Sequence, residues 1–173
     1  MAADTCGNVI SCSDVAAAFR AAMRSFTGIV TLVTTQTKEG EWRGMAATAV
    51  TSVSMEPPIV LVCVNRTASL YPTLMATRLF CINAMHQDHH ALMPGFTKPE
   101  QRESRFQVGP WVRDRSGIPY LDGAQANIFC AMESCVPMGT HNVIFGRVLE
   151  VLTRVDIDPL LYGAGAYWRQ STL

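Results

Sequence analysis

The stretch best suited to chemistry in this chain is a run of small side chains, Gly44-Met45-Ala46-Ala47-Thr48-Ala49-Val50-Thr51-Ser52-Val53-Ser54-Met55-Glu56-Pro57-Pro58. Gly44, Ala46, Ala47 and Ala49 add no bulk, and Thr48, Thr51, Ser52 and Ser54 offer short donors and acceptors. Such a surface lets a flat or anionic ligand approach the backbone, where amides can hold it. The same residues also suit an ordinary strand and turn on a crowded sheet. His141 follows Gly139-Thr140 at the head of an apolar run. An imidazole there can hydrogen-bond a ligand or transfer a proton near neutral pH, or simply cap a strand edge. The cluster His86-Gln87-Asp88-His89-His90 has metal-ligand residue types, but the polar start of a helix accounts for it and no metal is expected. Cys63, Cys81 and Cys130 sit in apolar runs, and no Cys-x-x-Cys pair occurs, so buried thiols are expected.

Composition narrows the class of function. Fourteen basic and 14 acidic residues leave no net charge and no basic run, which speaks against a nucleic-acid partner. Arg, Asn or Pro interrupts every apolar stretch before membrane-spanning length, and Met1–Asp14 lacks the basic start and apolar core of a signal peptide. A cytoplasmic location is therefore expected. At 49% hydrophobic and 16% charged residues, the chain carries an apolar surplus of the kind that marks a subunit interface. No Gly-x-Gly-x-x-Gly follows the first strand, no Walker sequence occurs, and nothing marks a nucleophile elbow.

The elements that must position these residues follow from periodicity. Residues 1–13 are short, polar and expected to be a disordered tail, leaving 14–173 as one domain. Ser13 is the expected cap of a helix in which Val15, Ala18, Phe19, Ala22, Met23 and Phe26 recur at helical spacing up to Gly28. Strands are expected over Ile29–Thr35, Trp42–Val53, Ile59–Asn65, Leu79–Asn83, Ala124–Val136 and His141–Val155, with a closing segment from Leu160 to Trp168. Short helices are expected over Leu70–Met75, capped by Thr67 or Ser69, and over Asp88–Met93, broken at Pro94-Gly95. About seven strands without long helical crossovers predict a mainly β, antiparallel architecture: a β-barrel flanked by helices.

Several segments together resemble the flavin reductase-like domain family. These are Phe26–Thr34, Gly44–Pro58, Asn65–Ser69, Phe80–Asn83, Gly139-Thr140-His141 with Phe145-Gly146-x-Val148, and Pro159–Tyr162, in collinear order over about residues 15–170. The type most similar is the reductase component of two-component flavin-dependent monooxygenases, as in the 4-hydroxyphenylacetate systems. The resemblance implies an FMN-binding split β-barrel of Greek-key form, usually a homodimer. It implies an NAD(P)H:flavin oxidoreductase that moves hydride from NADH or NADPH to FMN or FAD and supplies a separate monooxygenase. The alternatives are a split-barrel flavoprotein that retains its flavin and acts on another substrate, or a non-catalytic flavin- or haem-binding module. Carried over, Arg43, Gly44, Met45, Ala46, Ala47, Thr48 and Ala49 would line the isoalloxazine and ribityl chain. Cys63, Val64, Asn65, Ser69 and Leu70 would hold the ribityl phosphate region, and Gly95 and Phe96 would approach the adenine or phosphate end. His141, Gly165 and Tyr167 would face the nicotinamide, His141 as the catalytic, nicotinamide-positioning group. Many relatives have Asp where Thr140 stands, so acid assistance from that position is not expected.

Overall fold

The structure is a computed structural model that describes residues 14–171. The tail expected over 1–13, with Ser13 as its cap, lies outside the described residues. The helix α1 (Val15–Met23) is capped by Asp14, whose carboxylate accepts from the amides of Ala16 and Ala17 at 3.0 and 3.1 Å. Its apolar stripe packs on nothing in the described chain: Val15 and Phe19 are 79% and 65% exposed.

The strands are β1 (Gly28–Ile29), β2 (Thr31–Gln36), β3 (Trp42–Ala47), β4 (Val50–Met55) and β5 (Pro58–Asn65), then β6 (Leu79–Ala84) after helix α2 (Tyr71–Thr77). A 3-10 helix (Gln87–Leu92), helix α3 (Met93–Thr97) and a 3-10 turn (Pro99–Gln101) precede β7 (Trp111–Arg113) and β8 (Pro119–Leu121). The long hairpin β9 (Ala126–Met138) and β10 (His141–Thr153) and the short pair β11 (Leu160–Gly163) and β12 (Ala166–Arg169) complete the chain.

Seven strands form one antiparallel sheet in the order β3-β2-β6-β9-β10-β5-β4. The path β5, β6, β9, β10 lays β5 beside β10 rather than beside β6, which is a Greek key. The expectation of one strand over Trp42–Val53 is corrected: β3 and β4 are consecutive in the chain yet lie at the two opposite edges of the sheet. Thr48-Ala49 is the corner between them, and the Ala49 carbonyl accepts from the Cys63 amide at 3.1 Å. The sheet therefore curls until its edges approach at this corner, and stays split because β3 and β4 do not pair.

Burial follows the strand period. On β5, Val60, Val62 and Val64 point inward, joining Val33, Phe80, Ile82 and Ile144 in the barrel core. Leu74 of α2 and Leu70 just before it plug the same core. A second core, with Leu32, Met85, Leu92, Met93 and Leu160, lies outside the barrel under the 3-10 helix and α3. Strand β2 is thus buried on both faces, and its polar members are satisfied: Thr34 Oγ1 donates to the Pro119 carbonyl at 2.5 Å, and Thr35 Oγ1 to the Leu79 carbonyl at 2.7 Å.

Two helix expectations are corrected. Helix α2 has no side-chain cap; instead Asn65 Oδ1 accepts from the Thr67 amide and hydroxyl at 2.9 Å each, ordering the loop before it. Pro94 does not break a helix but sits in the first turn of α3, where its missing N–H has no partner to lose.

Candidate functional site

The β3–β4 corner floors a groove. Its inner part is a cavity of about 480 Å³ lined by Val30, Ala46, Ala47, Thr48, Met93, Thr97, Tyr162, Gly165 and Tyr167. Four separate parts of the fold meet there: the β1–β2 junction, the end of β3, helix α3 and the β11–β12 hairpin. The hairpin turn, Ala164-Gly165, has both residues at positive φ, +51° and +84°, as a two-residue turn of the I′ kind requires. It delivers Tyr162 and Tyr167 to the cavity wall, their rings 5.3 Å apart edge to face. Tyr167 also meets the His90 ring at 4.7 Å, and burial, with Tyr162 beside it, pushes its phenol above the usual range, so it stays a neutral donor.

The groove lining holds no carboxylate and no thiol. It offers alanine methyls, two threonine hydroxyls, two phenols and backbone. β3 pairs only with β2, so every second amide on its free edge points outward and can donate to a ligand laid against Ala46–Thr48. Such a site can hold and orient a flat ring, and it holds no carboxylate or thiol.

Of the residues expected from sequence, Ala46, Ala47, Thr48, Gly165 and Tyr167 line this cavity, and Ala49 the space continuing from it. A second group gathers on the outer face of the barrel beside Ala49. His141 lies directly opposite Asn65, two residues beyond Cys63, and all three are half-buried on the face away from the core. The His141 ring pairs with the Thr140 hydroxyl at 2.9 Å.

The rest of the expected set is placed elsewhere. Val64 and Leu70 are fully buried in the barrel core, because strand period and helix packing turn them inward, so their side chains cannot contact a ligand. Gly44 is closed off: a Cβ there would lie 2.9 Å from Phe96 Cε1 and 3.0 Å from Phe106 Cζ, so its smallness serves aromatic packing. Phe96 itself sits in that cluster, 5.7 Å from Phe106 and 5.8 Å from Trp111, and Gly95 packs on Arg105. Met45 packs on the barrel core, and Arg43 pairs with Glu41 at 2.6 Å. Ser69 is exposed in the loop before α2. Arg105 donates to the Gly44 carbonyl at 2.7 Å and is held by packing. Arg66 donates to the Gly139 carbonyl.

His86 is buried and accepts from the Asp88 amide at 3.1 Å as the cap of the 3-10 helix. Among the described residues no group of three or more His, Cys, Asp or Glu is arranged to hold a metal. The lining residues that the sequence reading did not single out are Val30, Met93, Thr97 and Tyr162. Val30 and Tyr162 carried a signal, through the Phe26–Thr34 and Pro159–Tyr162 segments; Met93 and Thr97 carried none.

Residues 23–170 match the family model described as flavin reductase like domain. The chain is 40% identical over 150 residues, 86% of its length and 84% of the other's, to the reductase component of the FADH2-dependent resorcinol hydroxylase of a Rhizobium species. It is 39% identical over 145 residues, 84% of its length and 87% of the other's, to the FMN reductase (NADH) RutF of Cronobacter turicensis. Among solved structures, the NADH:FAD oxidoreductase SgcE6 of Streptomyces globisporus superposes with a TM-score of 0.80 at 28% identity, covering 89% of this chain and 86% of that one.

Proposed function

The chain belongs to the flavin reductase-like domain family, and from that membership we propose that it is an NADH-dependent reductase of FMN or FAD, the component that supplies reduced flavin to a partner oxygenase. The observation that carries this reading is the groove at the β3–β4 corner: a floor of small residues, two phenols on the wall, and no carboxylate or thiol. A flavin supplies the hydride-accepting ring when bound. The protein's part is then to stack two flat rings and hold them in order, which is a proximity task. Ala46, Ala47 and Ala49 leave room for a ring, and the free amides of β3 can donate to its polar edge and favour the reduced, anionic form. His141, on the adjoining outer face, positions the nicotinamide.

Three finer readings go with this one. A homodimer is supported by apolar residues left exposed on α1, β4 and β10, among them Phe19 at 65%, Met55 at 75% and Leu149 at 59%. A cytoplasmic location is supported by the buried, unpaired thiols of Cys81 and Cys130. Residues 14–173 are taken as one functional domain.

The test is to mix the purified protein with NADH and free FMN or FAD and follow loss of nicotinamide absorbance. Turnover that depends on added flavin is the expected result, with NADPH the poorer donor. A yellow protein that oxidises its donor without added flavin would replace this reading with a retained-flavin enzyme. No nicotinamide oxidation with either flavin would overturn it.

A further inference from the structure

The groove does not end at the tyrosines. A second open cavity of about 560 Å³ continues from it beneath α1, sharing Thr48, Tyr162 and Gly165 with the first. The two parts differ in charge. The inner part is lined by no charged residue, whereas the outer part is lined by Arg20 and Arg24 with no carboxylate among its lining residues. Neither arginine takes part in an ion pair within the described residues.

The end of α1 is held at the cavity rim, where the Arg24 guanidinium donates to the Ala164 carbonyl at 3.5 Å. Arg20 and Arg24 are four residues apart at the end of α1, so they share one side of its last turn. The Arg24 carbonyl accepts from the Ala164 amide at 2.9 Å, which ties the end of α1 to the turn forming the cavity rim. A basic residue in the last turn does complement the helix dipole, but like charges at this spacing repel, and the dipole does not call for two of them facing a cavity. Two guanidinium forks without a counter-charge match a phosphate group, which they can engage through paired N–H donors.

We propose that Arg20 and Arg24 form the anion end of the groove and bind the phosphate-bearing limb of a cofactor whose ring lies over Ala46–Ala49. This rests on the flavin reductase reading. The phosphate is either the ester of FMN or the pyrophosphate of NADH. The flavin reductase reading gives the flavin phosphate the loop that follows Asn65, which leaves the NADH pyrophosphate as the expected occupant.

The test compares each cofactor with its phosphate-free counterpart, using the full chain. Steady-state constants are measured for NADH against dihydronicotinamide riboside and for FMN against riboflavin. The proteins are wild type, Arg20→Ala, Arg24→Ala and the matching Lys variants, with melting temperature and gel-filtration volume recorded for each. Each Ala variant should lower the preference for NADH over the riboside about fivefold, the upper range for an exposed ion pair. Lys should restore part of that preference, and inorganic pyrophosphate should compete with NADH more weakly in the Ala variants. Loss confined to the FMN arm would keep the anion site and assign it to flavin. An equal effect on the phosphate-bearing and phosphate-free members of both pairs, or no effect on either, would overturn the proposal, as would a change in KM that tracks only a change in oligomeric state. If the wild-type protein oxidises no NADH, the functional reading fails separately. Calorimetric titration with pyrophosphate, binding wild type and not the double Ala variant, then decides on the arginines alone.

Discussion

Replacing Gly44 by alanine separates two uses of a small residue. If Gly44 makes room for a ligand, Gly44→Ala should weaken flavin binding and leave stability alone. The structure gives it the other use. The added Cβ would meet Phe96 Cε1 at 2.9 Å, Phe106 Cζ at 3.0 Å and Thr34 Cγ2 at 3.4 Å. Carbon pairs rest at about 3.5–4.0 Å, so both rings would have to give by roughly half an ångström. They cannot move freely. Phe106 is wedged edge-on between Trp42 at 5.4 Å and Trp111 at 4.9 Å, and Phe96 packs on both Phe106 and Trp111. Overpacking of this kind costs about 1–3 kcal/mol. At about 2–4 °C per kcal/mol for a domain of this size, the melting temperature should fall by about 4–8 °C for the middle of that range. Because Met93 and Thr97 flank Phe96 on α3 and line the groove, the KM for flavin should rise as well. The deciding measurement is a double-mutant cycle by thermal melting. Phe96→Leu removes the nearest clashing atom, so the double variant should be less destabilised than the sum of the single changes by about 1 kcal/mol. Additive losses, or a Gly44→Ala variant that melts like wild type yet binds flavin poorly, would refute the packing account.

Three further outcomes are expected. Asn83 is fully buried, with Oδ1 accepting from the Leu121 amide and Asn127 Nδ2 at 2.8 Å each, and Nδ2 donating to the Leu32 carbonyl at 2.8 Å. Asn83→Leu orphans those partners and should cost about 3 kcal/mol, read from the urea midpoint at unchanged slope; a loss below about 1 kcal/mol would show that the network relaxes. Burial pushes the Cys130 thiol up to about 12 and Cys81 higher than usual as well, so at pH 8 only about one Cys130 in ten thousand is thiolate. Among the four cysteines of the described residues, iodoacetamide should label half-buried Cys63 and Cys135 first and reach Cys81 and Cys130 only on unfolding; mass spectrometry showing native Cys130 modified as fast as Cys63 would contradict this. His141→Ala should raise the KM for NADH more than that for flavin with a smaller change in kcat, and a larger effect on flavin would remove the nicotinamide assignment.

What was legible in the sequence is what local rules govern. The alternation along His141–Thr153 becomes a strand within two residues of expectation, whereas the β-branched run from Ile29 to Thr35 divides at Val30 into β1 and β2, which pair in different sheets. Gly139, at φ +58° and first in a two-residue turn, marks the hairpin between β9 and β10. The break at Thr48-Ala49 was not legible, because neither residue is a glycine or proline and β-forming residues flank it. Only the pairing partners send β3 to one sheet edge and β4 to the other. The same limit applies to the site. The small residues Ala46–Ala49 stand out in the sequence, whereas Val30, Met93 and Thr97 join them only through folding of distant segments. Val64 and Leu70 show the converse: a motif includes them, and strand parity and helix packing turn their side chains into the barrel core.

The corner between β3 and β4 also bears on how the protein is made. Two strands joined by two residues end up at opposite rims of a seven-stranded sheet, so both reach their final places only when every strand between them is paired. Those intervening strands run to Thr153, and the tyrosine wall comes from β11 and β12 near the C-terminal end of the described chain. On a ribosome, the first strands therefore wait for nearly the whole polypeptide before the groove exists. Contacts this distant in sequence form slowly and together. A truncated or half-folded chain has no groove to offer, so catalytic competence and completed biogenesis coincide.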